Sequence, residues 1–225
     1  MPGSLADAGS AEGKDKKMTD STKTAEIIGS VGKVIEEQKE YLTELDRPIG
    51  DSDHGINMAR GFAAVEKKLP TVAGKDIGTI LKTVGMTIVS TVGGASGPLY
   101  GTAYMKAGAA AAGKTEIGME DFLKMLGDAI DGVKMRGHSD VEEATMLDAM
   151  VPSLNAMKEA FAAGKTTKEI LDAGVKAAWA GAEHTKGLVA TKGRASYVGE
   201  RGLGHQDPGA TSYAYTLQAI ASNYC

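Results

Sequence analysis

Apolar residues recur every three or four positions along most of this chain, which is the spacing that turns one side of an α-helix toward a core. Six strong stripes of this kind occupy residues 27–45, 77–92, 119–133, 146–161, 171–182 and 213–224. Weaker helical patterns cover residues 56–69 and 98–112, where small residues would let neighbouring helices approach closely. The stripes predict about eight helices packed around one core.

The chain has no stretch that alternates apolar and polar residues with the β-branched and aromatic content of a strand. The sequence therefore predicts an all-α fold, which leaves no sheet for a Rossmann or P-loop site. Pro152 lies inside a helical pattern, so we expect a kink or a break there. Asp207 and Pro208 have the residue types of an N-cap and a first helical position, so they predict the start of the last helix.

Composition narrows the classes of protein to which this chain can belong. Its 225 residues are 42% hydrophobic and 24% charged, which is typical of one globular domain. The net charge of −4 argues against a nucleic-acid partner, because such a protein needs a basic face. The longest run of small residues, 108–113, is too short to cross a membrane. The single cysteine, Cys225, excludes an internal disulfide and a thiolate metal cluster, which fits a reducing cytoplasm.

The first 23 residues are polar, contain several glycines and serines, and include no apolar stretch that could act as a signal peptide. We expect residues 1–23 to form a flexible extension or a tag, with Met18 as an alternative natural start. The folded helical domain is then assigned to residues 24–225.

Three carboxylates are crowded into the segment LDRPIGDSDHG, residues 45–55, where a proline and two glycines interrupt helical propagation. Asp46, Asp51 and Asp53 offer the oxygen ligands that Mg²⁺ prefers, and they would repel one another without a cation. The segment therefore predicts a metal site. The alternative is that Asp53 only caps the following helix while the other two carboxylates are solvated.

Two further segments carry residues suited to binding an anion. Residues 93–101, GGASGPLYG, combine free backbone amides with a helix N-terminus, although Ser96 and Pro98 would also fit an ordinary helix connection. Helical periodicity then disappears over residues 191–212, which carry Lys192, Arg194, Arg201 and His205 among several glycines. This segment could instead be a mobile surface loop. We expect the three segments to converge at one end of the helical bundle.

Four strings carry a family resemblance: LDRPIGDSDHGINMARG, VGGASGPLYGTA, TMLDAM and ATKGRASYVGERGLGHQDPGATS. Together they resemble the L subunit of bacterial dihydroxyacetone kinase, the nucleotide-binding subunit, and the resemblance extends over residues 24–224. It implies an eight-helix antiparallel up-and-down barrel, or bundle, with a nucleotide site at one loop end. The helix count reached from the stripes agrees with this fold.

The resemblance also implies the residues of the site. Asp46, Asp51 and Asp53 match the ligands of two Mg²⁺ ions that bridge the phosphates of ADP or ATP. Arg194 matches the charge partner of the transferred phosphoryl group and is the candidate catalytic residue. The positions that match nucleotide contacts are His54, Gly55, Ile56, Asn57, Ala95, Ser96, Gly137, Met146, Arg194, Asp207, Pro208 and Gly209.

The family resemblance implies partner proteins as well. A separate K subunit holds dihydroxyacetone, so this chain is expected to be inactive alone. A histidine at position 54 resembles the branch linked to the phosphotransferase system, in which ADP stays bound and an M subunit rephosphorylates it. Some family members contact a transcription regulator, so a nucleotide-loaded regulatory module is one alternative function. A helical dimetal hydrolase, which would turn over its substrate unaided through a metal-bound water, is another.

One segment departs from the family pattern. Before Thr145 the family usually has Gly-Asp-Lys, whereas this chain has Glu142, Glu143 and Ala144. Two carboxylates beside a polyphosphate would be unfavourable unless they face solvent, and a lysine at the rim is lost. The departure predicts weakened nucleotide binding if both carboxylates point into the site.

Overall fold

A computed structural model of the protein describes residues 18–224. The predicted extension over residues 1–17 lies outside the described residues. Residues 18–23, which the sequence also assigns to the extension, are among the described residues. Strand β1, Thr19–Asp20, and the first turn of the first helix lie in this segment.

The described residues form nine α-helices, and the all-α prediction is confirmed. The helices are α1 Ser21–Glu37, α2 Lys39–Asp46, α3 His54–Lys68, α4 Ile77–Thr91, α5 Ser96–Ala110, α6 Met119–Gly137, α7 Leu147–Ala162, α8 Thr167–His184 and α9 Pro208–Tyr224. Short 3₁₀ helices cover Leu69–Val72, Thr185–Gly187, Arg194–Tyr197 and Gly199–Gly202. Helix α7 runs through Pro152 without a break, while Asp207 and Pro208 begin α9 as predicted.

The first predicted helix is divided in two, because α1 ends and α2 begins at Gln38. Five consecutive polar residues, 36–40, leave this stretch with no apolar side chain to hold it against the core. The break lets Leu42 of α2 become fully buried. A two-residue pairing of β1 with β2, Glu116–Ile117, was also not predicted, because strands this short show no alternation.

Eight of the helices form a closed ring. Around the ring α1 packs against α3, and α3 to α9 then pack in chain order until α9 returns to α1. The short helix α2 lies against α3 and α9. Because most ring neighbours are joined by short connections, they run antiparallel, and the predicted eight-helix up-and-down barrel is confirmed with α2 as an addition.

Close helix packing and a dense apolar core support the ring. Gly85 of α4 faces Gly101 of α5, and a Cβ on Gly85 would lie only 2.7 Å from the Gly101 carbonyl oxygen. This confirms the close approach predicted from the small residues of 98–112. The largest side chains that are fully enclosed are Val31, Ile35, Leu42, Met58, Ile77, Ile80, Ile88, Leu147, Met150, Met157, Leu171 and Leu217. Among residues 18–224, no helix combines the length and the apolar character that a membrane crossing requires.

The up-and-down order places every second connection at the same end of the ring. These connections are residues 47–53, 92–95, 138–146 and 185–207. The connections at the other end, residues 69–76, 111–118 and 163–166, are short. The three segments that the sequence marked as anion or metal binding therefore lie at one end, where they meet a fourth segment, 138–146.

Candidate functional site

The three predicted metal-binding carboxylates meet in the connection between α2 and α3. One ligand oxygen from each of Asp46, Asp51 and Asp53 lies within 4.8 Å of the others. Within residues 18–224 this is the one group of three or more histidine, cysteine or acidic side chains that could hold a metal ion. Because every donor is a carboxylate oxygen, the group suits a hard divalent cation.

The segment that carries the triad is folded around Asp46, the last residue of α2. Its Oδ2 atom accepts hydrogen bonds from the backbone nitrogens of Asp53, at 3.0 Å, and His54, at 3.3 Å. Its carbonyl oxygen accepts from the Gly50 nitrogen at 2.6 Å. A Cβ at Gly50 would lie 1.9 Å from Oδ1 of Asp46, so only glycine fits there. The segment is thus built to hold these carboxylates in place.

Asp53 occupies the N-cap position of α3, but its side chain makes no capping hydrogen bond. The alternative that Asp53 serves only as a helix cap is therefore not supported. Burial raises the pKa of Asp53, as do the nearby charges of Asp51 and Asp46, while a hydrogen bond from Asn57 opposes the shift. An adjacent cation would relieve this repulsion. Arg194 already compensates part of the repulsion among the carboxylates, since its Nη2 atom lies 2.9 Å from Oδ2 of Asp51.

The four connections at this end surround a cavity of about 460 Å³. The predicted site residues that line it are Asp46, Asp51, Asp53, His54, Ala95, Ser96, Gly137, Met146, Arg194, Asp207, Pro208 and Gly209. The carboxylates and Arg194 make one part of the lining polar. Leu99, Val133 and Met146 give another part an apolar surface. The cavity can therefore accept a ligand that is anionic at one end and flat or apolar at the other.

Three predicted contacts, Gly55, Ile56 and Asn57, do not line the cavity. All lie in the first turn of α3, where Gly55 packs against α2 and Ile56 is 50% exposed. Asn57 is buried, and its Oδ1 accepts a hydrogen bond of 2.6 Å from Arg60 Nη2. The side chains of Ile56 and Asn57 therefore do not line the cavity themselves, and any contact of Gly55 or Ile56 with an anion would come from backbone N–H groups of the first helical turn.

Sequence reasoning did not single out Arg60, which connects two parts of the site. Its Nη2 atom holds Oδ1 of Asn57, and its Nε atom donates to the Thr91 carbonyl oxygen at 3.0 Å. Because Oδ1 of Asn57 faces Arg60, its Nδ2–H₂ group is oriented to donate a hydrogen bond to the Asp53 carboxylate. Arg60 therefore ties the segment that carries the carboxylates to the end of α4, next to the glycine-rich connection.

His54 is buried at the wall of the cavity and makes hydrogen bonds through both ring nitrogens. Its Nε2 atom lies 2.9 Å from Ser212 Oγ, and its Nδ1 atom lies 3.0 Å from Ser96 Oγ. Burial lowers the pKa of His54 to about 4, against a smaller opposing effect of the Asp46 charge, so the ring is neutral near pH 7. Ser212 also contacts the hydroxyl of Tyr100 at 2.7 Å. Ser212 was not predicted, because its place in the buried face of α9 resembles an ordinary core position.

The departure from the family pattern does not place carboxylates in the cavity. Glu142 Oε1 lies 2.9 Å from His184 Nε2 on α8. Glu143 Oε1 accepts from Thr191 Oγ1 at 2.9 Å and lies 3.6 Å from Lys192 Nζ. Of the three departing residues, only Ala144 lines the cavity. The repulsion that would weaken nucleotide binding is therefore avoided.

The connection 185–207 contributes to the cavity lining two of the four basic residues that the sequence marked as suited to binding an anion. Lys192 and Arg194 line the cavity, whereas Arg201 and His205 are exposed and do not. The connection contains three short 3₁₀ helices rather than a structureless loop. Asp207 anchors its end, because its nitrogen donates to Thr185 Oγ1 at 2.9 Å.

Asp207 gives the metal-free protein a pH dependence. Burial raises its pKa from 3.8 to about 7, and the charges of Asp148 and Asp46 add to the shift. The folded protein then keeps a proton that the unfolded chain releases, so the free energy of unfolding should fall as pH rises from about 4 to about 7, by at most about 1.4 kcal/mol per pH unit. Asp207→Asn should remove this slope while keeping the side-chain oxygen that caps α9. Urea unfolding at several pH values in chelator measures the difference; parallel pH profiles for the two proteins would contradict it.

Comparisons with known proteins agree with this geometry. A sequence model for the DAK2 domain matches residues 48–222. The chain is 45% identical over 190 residues to the ADP-binding subunit DhaL of the PEP-dependent dihydroxyacetone kinase of Escherichia coli (strain K12), covering 84% of this chain and 90% of that protein. It is 42% identical over 197 residues to the ADP-binding subunit DhaL of the PTS-dependent kinase of Lactococcus lactis, covering 88% of this chain and 94% of that protein.

A solved structure has the same fold. The crystal structure of the dihydroxyacetone kinase from C. freundii in complex with AMP-PNP and Mg²⁺ matches with a TM-score of 0.67 and 24% sequence identity. The match covers 98% of this chain but only 38% of that chain. The likeness therefore supports the helical barrel, and the solved chain is much longer than this one.

Proposed function

Since this chain belongs to the DAK2 domain family, as its sequence strings predicted, we propose that it is the nucleotide-binding subunit of a dihydroxyacetone kinase. The observation that carries the proposal is the cavity at one end of the barrel, where three carboxylates and Arg194 face an apolar surface. Relatives that are 42–45% identical over most of their length are named ADP-binding subunits, which supports the same ligand here.

ADP or ATP would lie with its phosphates at the polar part of the cavity. Asp46, Asp51 and Asp53 would hold two Mg²⁺ ions, which when bound neutralise the phosphate charge. The backbone amides of 93–95 and the first turn of α3 would donate to phosphate oxygens. The base would lie near the apolar side chains of Leu99 and Met146.

The residues of this chain would promote phosphoryl transfer by position and charge. Arg194 would turn from Asp51 toward the transferred group, where its guanidinium offers paired donors to phosphate oxygens. The carboxylate triad fixes the nucleotide relative to the cavity mouth. Catalysis of this kind needs no nucleophilic side chain, because phosphoryl transfer depends mainly on alignment and on stabilising the charge of the transition state.

The acceptor and the phosphoryl source would come from partner proteins. We propose that a K subunit presents dihydroxyacetone at the open end of the cavity. An M subunit linked to the phosphotransferase system would then rephosphorylate ADP in place. The names of the relatives, which describe PEP- and PTS-dependent kinases with a separate ADP-binding subunit, support this division of labour.

Reconstitution tests the proposed function. The chain would be mixed with ADP, magnesium, purified K and M subunits, a phosphoryl donor for the M subunit and dihydroxyacetone, and dihydroxyacetone phosphate would be measured. We expect product only when all three subunits are present. Failure to support phosphorylation, with ADP still bound, would indicate a nucleotide-loaded regulatory module. Hydrolysis of a nucleotide by the chain alone would indicate a dimetal hydrolase.

A further inference from the structure

A continuous line of hydrogen-bonding groups lies in the wall of the cavity. We call it the hydroxyl–imidazole chain, and it consists of Tyr100, Ser212, His54 and Ser96. The successive distances are 2.7 Å from Tyr100 Oη to Ser212 Oγ, 2.9 Å from Ser212 Oγ to His54 Nε2, and 3.0 Å from His54 Nδ1 to Ser96 Oγ. Tyr100, Ser212 and His54 are buried; Tyr100, His54 and Ser96 contribute to the cavity lining, whereas Ser212 does not.

The protons of this chain can be arranged in two directions. A neutral imidazole has one N–H and one acceptor nitrogen, and each hydroxyl has one proton to donate. In the inward arrangement, Ser96 donates to Nδ1 of His54, Nε2–H donates to Ser212, and Ser212 donates to the Gly209 carbonyl oxygen at 3.0 Å. In the outward arrangement, Tyr100 donates to Ser212, Ser212 donates to Nε2, and Nδ1–H donates to Ser96. Ser96 is then free to donate into the cavity.

An ionised phosphate oxygen distinguishes the two arrangements, because it only accepts hydrogen bonds. With an anion beside Ser96, the outward arrangement gives every donor an acceptor. With no anion, the inward arrangement does so, because the Gly209 carbonyl oxygen accepts from Ser212 at 3.0 Å and from Tyr100 at 3.4 Å. The ring of His54 stays neutral in both, so the two arrangements differ in its tautomer and not in charge.

We propose that the hydroxyl–imidazole chain reverses direction when a nucleotide phosphate binds beside Ser96, with Tyr100 and Ser212 acting as positioning residues for the Ser96 hydroxyl. The inference rests on the proposed nucleotide site. In this proposal a change of tautomer at His54 couples the hydrogen bond with Ser212 to the hydrogen bond with Ser96. Aligned hydrogen bonds strengthen one another, so the buried hydroxyls should contribute to affinity although neither needs to touch the ligand.

Nitrogen NMR of the whole chain, with ¹⁵N in the histidine rings, tests the reversal directly. Protonated and unprotonated ring nitrogens have distinct shifts, and His54→Gln identifies the His54 signals among those of the four histidines. When ADP and magnesium are added to protein from which bound nucleotide and metal have been removed, we expect the proton to move from Nε2 to Nδ1. If ADP binds by calorimetry while the tautomer stays the same, the inference is overturned and the proposed function survives. If ADP does not bind, both fail.

A matched pair of variants supplies a second measurement. Tyr100→Phe removes the hydroxyl that contacts Ser212, at the end of the hydroxyl–imidazole chain opposite Ser96. Tyr104→Phe removes another buried hydroxyl one helical turn away, and that hydroxyl has no hydrogen-bond partner in the described part of the chain. We expect Tyr100→Phe to weaken ADP binding about fivefold, corresponding to one net hydrogen bond, and Tyr104→Phe to leave it unchanged. Equal affinities for both variants and the unmodified protein would overturn the inference.

Discussion

Asp51→Asn is expected to abolish magnesium-dependent ADP binding while leaving the fold intact. The Asp51 side chain is partly exposed, and its one ion pair is with Arg194, so its carboxylate contributes little to packing. It is, however, one of only three oxygen donors that meet within 4.8 Å. Loss of groups that merely support a metal ligand commonly costs about 10- to 100-fold in affinity, so loss of a ligand should cost about 100-fold or more. Titration calorimetry with ADP and magnesium measures the change.

Asp128→Asn is the matched control for this prediction. Asp128 lies on α6, where it forms an exposed ion pair with Lys124 at 2.7 Å. The substitution removes the same charge at a position outside the cavity lining, so we expect unchanged ADP affinity and a change in unfolding free energy within about 0.5 kcal/mol. Tight magnesium-dependent binding by Asp51→Asn would contradict the assigned metal site. Equal losses in both variants would show that net charge, rather than ligation, controls binding.

Gly55→Ala should damage both stability and binding. A Cβ at this position would lie 2.0 Å from the Lys39 carbonyl oxygen and 2.6 Å from Thr43 Oγ1. Both atoms belong to α2, so α2 and α3 would have to separate. The connection that carries the carboxylate triad joins these two helices. We expect a loss of about 3 kcal/mol of unfolding free energy, at the upper end of typical overpacking, with a melting temperature lower by roughly 6–12 °C. ADP affinity should fall in the same variant.

Gly29→Ala is the control, because it introduces the same methyl group in another helix. A Cβ at Gly29 of α1 would meet no atom within 4 Å. Alanine favours a helix over glycine by about 0.5–1 kcal/mol, so this variant should be slightly more stable and should bind ADP normally. Thermal unfolding of the two variants compares them. A Gly55→Ala protein as stable as Gly29→Ala would show that the contact between α2 and α3 is looser than described.

Most of the fold follows from hydrophobic periodicity, because each barrel helix must bury one apolar stripe. The two weak patterns, over 56–69 and 98–112, became full helices α3 and α5 for the same reason, with glycines permitting the close contact of α4 and α5. The break at Gln38 escaped prediction because apolar residues on both sides keep one helical spacing. Closure of the ring between α9 and α1 depends on packing between distant segments, which periodicity does not specify.

The convergence of the candidate site residues on one cavity was predictable where chemistry is concentrated in the sequence. The spacing of the carboxylates in 45–55 already indicated a cation. The orientation of side chains was not predictable, because it depends on local backbone geometry. Glu142 and Ala144 have positive φ angles of 66° and 53°, and buried Asp148 accepts from the backbone nitrogens of Glu142 and Thr145. These features turn both glutamates away from the cavity, and nothing in residue type alone reveals them.

We propose above that this chain carries ADP and magnesium in the cavity at the end of the barrel. The most direct test is to purify the protein without added nucleotide, denature it, and quantify the released small molecules by chromatography and the metals by elemental analysis. We expect about one ADP and about two magnesium ions per chain, as for a two-metal phosphate site. A protein that releases neither, and that also fails to bind added ADP and magnesium, would contradict it.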